Sequence, residues 1–231
     1  MSQTHLVHAL KSSFVAALII ALLFLSSFLA FEPKVGRAIT DTFLVSQQIT
    51  DEVSFLVNAA DVTMVGSIQG LTGGYATGTT FTVIRSNDPQ GYTLTLGFSS
   101  TTAMNSTSST AFINNYTPAL TTAPDFQWVD NSSGQAAEFG YSVRASTTAE
   151  VDLSFRNDGA SCNTGSNETD NRCWQNPTTT AAAETIVSTS GAVLSSTTTI
   201  KFKVAVPSNP SPTLPAGYYV ATATLTATNN P

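Results

Sequence analysis

The sequence predicts an all-β protein, an antiparallel β-sandwich of jelly-roll or immunoglobulin-like kind, preceded by an N-terminal hydrophobic helix. Three observations predict it. Beyond residue 38 the apolar residues recur with a period of two rather than 3.6, the signature of half-buried strands. Gly, Pro and Asn clusters punctuate those runs at short intervals, as in sandwiches. Only 10% of residues are charged, against about 25% in an average soluble domain, and Thr, Ser, Ala, Asn and Gly take their place. Thr is β-branched and suits a pleated, half-wet surface.

The helix comes first. Residues 14–31 form one apolar run, with His5, His8 and Lys11 before it and Lys34 and Arg37 after it. Such a run resembles a secretory signal, with Gly36 and Ala38 as the small residues of a cleavage site. It is also about long enough to span a bilayer as a retained anchor. Residues 1–38 are therefore expected to be a signal peptide or membrane anchor, and 39–231 an extracytoplasmic domain. Roughly 190 residues suit one large sandwich.

The strands follow in order. Residues 42–57 place Phe43, Val45, Ile49, Val53 and Phe55 on one face. Further runs are expected at 80–85, Tyr92–Phe98, 138–144, 151–155, 200–206 and 218–228. In the last, Tyr219, Ala221, Ala223, Leu225 and Ala227 alternate with Thr. Breaks fall at 70–78 and 207–217, and Asn87-Asp-Pro-Gln-Gly91 reads as the turn of a hairpin joining two strands. Leu214-Pro-Ala-Gly-Tyr218 reads as another turn, because a strand follows it instead of the apolar segment and basic tail of a wall-sorting signal. Two stretches, 99–125 and 157–183, fit no strand pattern and are expected to be long Ser/Thr/Asn-rich loops, where recognition concentrates.

Cys162 and Cys173 lie in a polar, Gly-bearing stretch with no further thiol or imidazole near them. They predict a loop-clamping disulfide, and hence an oxidising compartment, in preference to a thiolate metal site. The same loop offers hard oxygen donors for calcium in Asp158, Asn163, Glu168 and Asp170, with Asn167 and Asn171 beside them. Their spacing is not that of an EF-hand. Asn105, Asn115, Asn131 and Asn167 each open an Asn-x-Ser/Thr sequence.

Composition also bears on function. From Ile39 onward there are 14 Asp and Glu against 6 Lys and Arg. Without a basic cluster, nucleic acid is a poor partner. The only histidines are His5 and His8, so Ser-His-Asp and Cys-His catalysis lack their base. Paired carboxylates would suffice for glycoside hydrolysis, and Glu138, Glu150, Asp152 and Glu184 lie on or beside expected strands. Each reads more simply as a strand surface residue. Catalytic residues and cofactors, calcium aside, are not expected.

The segment 215–228, Pro-Ala-Gly-Tyr-Tyr-Val-Ala-Thr-Ala-Thr-Leu-Thr-Ala-Thr, resembles the closing strand of bacterial surface β-sandwich domains of the WxL type and of the spore coat U or fimbrial-like kind. Residues 87–96, with Gly-Tyr followed by alternating Thr and Leu, resemble an internal hairpin of such domains. Neither Trp128-Val-Asp nor Trp174-Gln-Asn supplies a Trp-x-Leu motif, so the resemblance implies a surface or appendage role without wall binding of the WxL kind. The expectation is a non-catalytic, exported structural subunit of an envelope, coat or appendage, in which residues 42–57 pair within their own fold, the simpler reading, or exchange as a strand between its own copies or with other surface proteins. The alternative is a binding or adhesion module for a glycan or protein receptor, using Tyr116, Trp128 and Trp174, with Tyr141, as aromatic contacts. Membrane contact is expected only through residues 14–31.

Overall fold

The computed structural model describes residues 3–30, 40–119, 123–130, 135–147 and 149–231. The chain divides into two units, Met1–Gln48 and Ile49–Pro231. The first holds one helix, α1 (Gln3–Ala30), whose side chains from 13 to 27 are all exposed. Among the described residues no helix is long and apolar enough to cross a membrane. Phe31, which ends the apolar run, and the cleavage-site residues Gly36 and Ala38 lie outside the described residues.

The second unit is mostly β. Its strands are β1 (Val53–Val57), β2 (Val65–Gln69), β3 (Gly73–Ser86), β4 (Tyr92–Phe98), β5 (Met104–Ser106), β6 (Phe112–Asn115), β7 (Glu138–Ala145), β8 (Glu184–Ser188), β9 (Val193–Val206), β10 (Tyr219–Ala221) and β11 (Ala223–Asn229). Among the described residues they form two sheets. The larger runs β1-β3-β9-β7-β6-β5-β10, with β2 also on β3, and the smaller runs β11-β4-β8. The 14-residue strands β3 and β9 pair from Gly74↔Val206 to Ser86↔Val193 and form the spine of the larger sheet.

Both sheets feed one core. Ile84, Ile200 and Phe202 of the larger sheet and Leu94, Leu96, Phe98, Ile186 and Val187 of the smaller are buried in a single cluster. Phe98 meets Phe139 edge-on across it, ring centroids 5.8 Å apart. The alternation read in the sequence is what puts these side chains inward, since successive residues of a strand face opposite sides. On β9 Ile200, Phe202 and Val204 are buried, while Lys201 and Lys203 face outward, half-buried.

Several elements differ from the sequence expectation. The strand expected at 42–57 shortens to β1, because Val53 pairs with Ser86, the last residue of β3. Residues before 53 run past the end of their neighbour. Asn87 ties 50–52 down instead, accepting from Glu52 N (2.6 Å) and donating to Thr50 O (3.1 Å). The hairpin expected across Asn87–Gly91 is a crossover: β3 and β4 lie in different sheets. Residues 151–155 make one bridge, Val151↔Val187, and then a 3-10 turn at Leu153–Phe155. The Asp152 carboxylate accepts from Ser154 N (2.9 Å) and caps that turn, an option a short acidic side chain has and an apolar strand residue lacks. The run 218–228 is two strands in two sheets, β10 on β5 and β11 on β4, parted at Thr222. The expected loop 99–125 contains β5 and β6. β6 pairs with β7 in parallel, so the larger sheet is mixed rather than antiparallel.

Cys162 and Cys173 form the disulfide, with Cα atoms 5.6 Å apart. Both are buried in the core cluster, although the sequence around them is polar. The chain folds over them: Asn157, itself fully buried, pairs with Asn167 and Cys162 and closes the loop on its own backbone.

Candidate functional site

Three places in the second unit bring chemistry-bearing residues together. The first lies on the outer face of the larger sheet. Gly140 of β7 leaves that face without a side chain, and a Cβ there would meet Tyr116 Cβ at 2.8 Å and Trp128 at 3.0 Å. Into that space pack the aromatics that the sequence singled out. Tyr116 stacks on Trp128 at 4.2 Å, and Trp128 meets Trp174 edge-on at 5.3 Å. The Tyr116 hydroxyl donates to the Asp125 carboxylate and accepts from Val129 N. Burial, and then the Asp125 carboxylate, push that hydroxyl's pKa well above the ordinary tyrosine value. Trp174 donates from Nε1 to Asn171 O at 3.1 Å.

Tyr116 and Trp174 are thereby buried and serve packing; Trp128 is half-buried. Tyr141 lies wholly in the core beside Phe98 and Phe155. The expected platform of four exposed aromatics is thus not what these residues form. The open part of this face belongs to residues the sequence reading passed over: Tyr75 on β3, Lys203 on β9 and Asp130. They line a recess of about 330 Å³ beside Trp128. Lys203 Nζ lies 4.6 Å from the Trp128 ring centroid and 5.7 Å from that of Tyr75. Desolvation lowers its pKa, and the nearby Asp130 carboxylate opposes that shift. The available signal was Lys203 at an outward position of an otherwise apolar-alternating strand.

The second place is an apolar cleft of about 750 Å³ between the sheets, lined by Phe55, Met64, Phe98, Phe202, Ala223 and Leu225 among others. Its rim on the larger sheet is the segment 58–64. This segment is not laddered to β3 but held by side chains: Thr80 Oγ1 bonds Ala60 N (3.0 Å) and O (2.9 Å), and Thr82 Oγ1 donates to Val57 O (2.7 Å). Its rim on the smaller sheet is β11, an end strand. Ser99 N donates to Thr222 O, and Asn230 N to Gly91 O. By the alternation of antiparallel ladders, the amides of Ala223, Leu225 and Ala227 then point away from β4.

Of the residues singled out for strand exchange, Val53 and Phe55 are taken into β1. Phe43, Val45 and Ile49 make no strand pairing among the described residues and are 84%, 81% and 81% exposed.

The third place is the disulfide loop. Here three of the expected calcium donors have other partners as well. Asp158 accepts from Ala160 N and Ser161 N, bonds that lower its pKa. Glu168 accepts from Ala145 N at 2.5 Å, and Asp170 pairs with Arg144 at 3.0 Å. Asn163 adopts a turn conformation, φ 60°. Among the described residues no three His, Cys, Asp or Glu side chains gather as a metal group.

Of the strand carboxylates, Glu184 and Asp152 lie close enough to interact. Glu138 is buried on the outer face of β7. Glu150 accepts from Ser196 Oγ at 2.5 Å. Asp152 caps its turn. Glu184 is half-buried on β8 and its pKa is raised by desolvation and, secondarily, by Asp152. Among the sequon asparagines, the Asn115 amide donates to Thr101 O and Pro177 O at 2.9 Å each and the Asn105 amide to Thr102 O at 2.6 Å; Asn167 is exposed and pairs with Asn157 through its backbone; Asn131 lies outside the described residues. No family model matches this chain, and a search of curated proteins finds none similar to it.

Proposed function

We propose that this is an exported, non-catalytic structural protein of a cell surface, whose copies join by strand addition. The observation that carries the reading is the pairing of two unsatisfied features in one chain. Residues 42–49 lie outside any described strand and leave Phe43, Val45 and Ile49 exposed; an extended conformation would set these odd-numbered residues on one side. The second unit presents an apolar cleft bordered by a strand edge with outward amides. A strand laid along β11 would hydrogen-bond its backbone and lower its alternate side chains between the sheets, over Leu225 and Phe98. At about 3.3 Å per residue, residues 42–49 match the seven residues of β11 in length. The donor comes from a second copy.

Export is supported by the buried disulfide, which persists in oxidising compartments, and by the apolar run of 14–31 as a signal. Two sheets over one core support a β-sandwich of jelly-roll or immunoglobulin-like kind. A surface role also agrees with the resemblance of residues 87–96 and 215–228 to bacterial surface sandwich domains. The non-catalytic reading is supported by the absence of histidine after residue 8; of the strand carboxylates, Glu184 and Asp152 neighbour one another, and Asp152 is engaged in capping its turn.

Two variants of the full chain test the assembly. The triple substitution Phe43→Asp, Val45→Asp, Ile49→Asp removes the donor and leaves the cleft. Ala223→Pro removes an outward amide of β11 without touching its bonds to β4, since proline is tolerated where the N–H faces away from the sheet. Light scattering after size-exclusion chromatography should show wild-type assemblies, each variant alone as monomer, and a one-to-one mixture restoring dimers and nothing larger. A wild-type chain that stays monomeric at every concentration, or variants that assemble like wild type, would overturn strand addition.

A further inference from the structure

The recess on the outer face of the larger sheet is built from three strands' worth of register and one loop. Opposite positions along the sheet are Thr77, Lys203 and Gly140, and one row further Tyr75, Ala205 and Glu138. Ala205 gives a low floor. Tyr75, 65% exposed, stands as a wall on the β3 side. Trp128, seated over Gly140, and Asp130 stand on the other. Asp130 also accepts from Trp128 Nε1 at 2.9 Å, which fixes the carboxylate relative to the indole.

Lys203 lies at the centre of this arrangement. Its ammonium group is half-buried and lies over aromatic faces, and among the described residues it has no carboxylate within salt-bridge distance. The aromatic faces attract the cation but accept no conventional hydrogen bond from it. Its three N–H donors therefore remain available to a ligand. Asp130 offers acceptors on the same rim. Glu138, more deeply buried, also lines the recess, so two carboxylates accompany one ammonium group and anionic ligands are disfavoured, while donors and acceptors stand side by side next to an exposed ring.

We propose that this recess is a binding subsite for a neutral pyranose, the end or branch of a glycan. Vicinal hydroxyls of a pyranose each donate and accept, which is what adjacent Asp130 and Lys203 require. The C–H face of the ring is apolar and covers Tyr75. At about 330 Å³ the recess lies at the small end of ligand pockets, which run about 300–1,000 Å³, and fits a sugar unit rather than a long chain. A single subsite of this size binds weakly, and useful attachment comes from repetition across many copies. The inference is independent of strand addition: no residue of the cleft or of segment 42–49 takes part.

The test uses the full chain and four soluble probes, methyl glucoside, methyl mannoside, methyl galactoside and N-acetylglucosamine, with glucuronate as an anionic comparison. Trp128 reports occupancy through its fluorescence. At least one neutral probe should produce a saturable change, with a midpoint raised about tenfold in Tyr75→Ala and in Lys203→Met. Tyr75 is exposed, so its loss leaves the fold intact; Lys203→Met keeps the stem that packs between the rings. The donor-deficient triple variant should bind the probe like wild type, which separates this inference from the assembly. Absence of a saturable change with every neutral probe, tighter binding of glucuronate than of any of them, or an unchanged midpoint in both recess variants would overturn it.

Discussion

Glu184 shows how a carboxylate on a sheet surface becomes a pH-dependent liability. Desolvation and the neighbouring Asp152 raise its pKa above the ordinary value, so the folded state holds its proton to higher pH than the unfolded chain does. The folded protein then binds more protons through that window, and stability falls as pH rises from the unfolded pKa through the raised folded one. Glu184→Gln removes the effect. Thermal melts should show the variant more stable than wild type near pH 7 and the difference shrinking at about pH 3, below both pKa values. A variant no more stable at neutral pH would show that Glu184 makes a favourable bond. At this scale the sequence was informative where residue type alone decides the outcome. The two cysteines could do little except bond. It was silent about Tyr75, Lys203 and Asp130, which are 55 or more positions apart in the chain and meet only because β3 and β9 pair in one register. It misplaced Tyr116 and Trp174, because an aromatic in a polar stretch looks exposed until a glycine such as Gly140 is known to lie beneath it.

At the scale of elements, period-two alternation located β4, β7 and the second half of β9 correctly, since their apolar residues line one core. It missed β2, β5, β6, β8 and the starts of β3 and β9, where Gly, Ser, Thr and Asn occupy many strand positions and alternation is broken. β8 nevertheless buries the adjacent Ile186 and Val187 in the core, a pair that period-two alternation does not place together. It overextended into 151–155, where alternating Val151, Leu153 and Phe155 bury through a bridge and a capped turn rather than a strand. The disulfide loop is the element whose contribution is easiest to isolate. Closing a loop of sequence separation 11 should stabilise by roughly 2–3 kcal/mol. Cys162→Ser with Cys173→Ser should therefore lower Tm by several degrees in calorimetry, and reduction of the wild type should do the same. Equal melting temperatures with and without the bond would mean that the Asn157–Asn167 pairing alone holds the loop.

At the scale of the whole molecule, the sequence indicated two sheets around one core but not which strands share a sheet. Asn87–Gly91 has the composition of a hairpin turn, and only the structure shows the chain crossing from one sheet to the other there. Strand partners are also remote: β4 pairs with β8 and β11, about 90 and 130 residues further on, and no local signal encodes such pairs. The proposed export is open to direct measurement. Intact mass spectrometry of native protein should give a species beginning at residue 39, two hydrogens lighter than the reduced chain, outside the cytoplasm. A full-length or reduced species in the cytoplasm would contradict it.

The break at Thr222 couples the two layers. Residues 219–221 pair with β5 in the larger sheet and residues 223–229 pair with β4 in the smaller, so one short stretch of backbone belongs to both. Without it β4 keeps only β8 as a strand neighbour. Tension on either layer therefore passes to the other through a single residue, which makes this stretch a mechanical clasp.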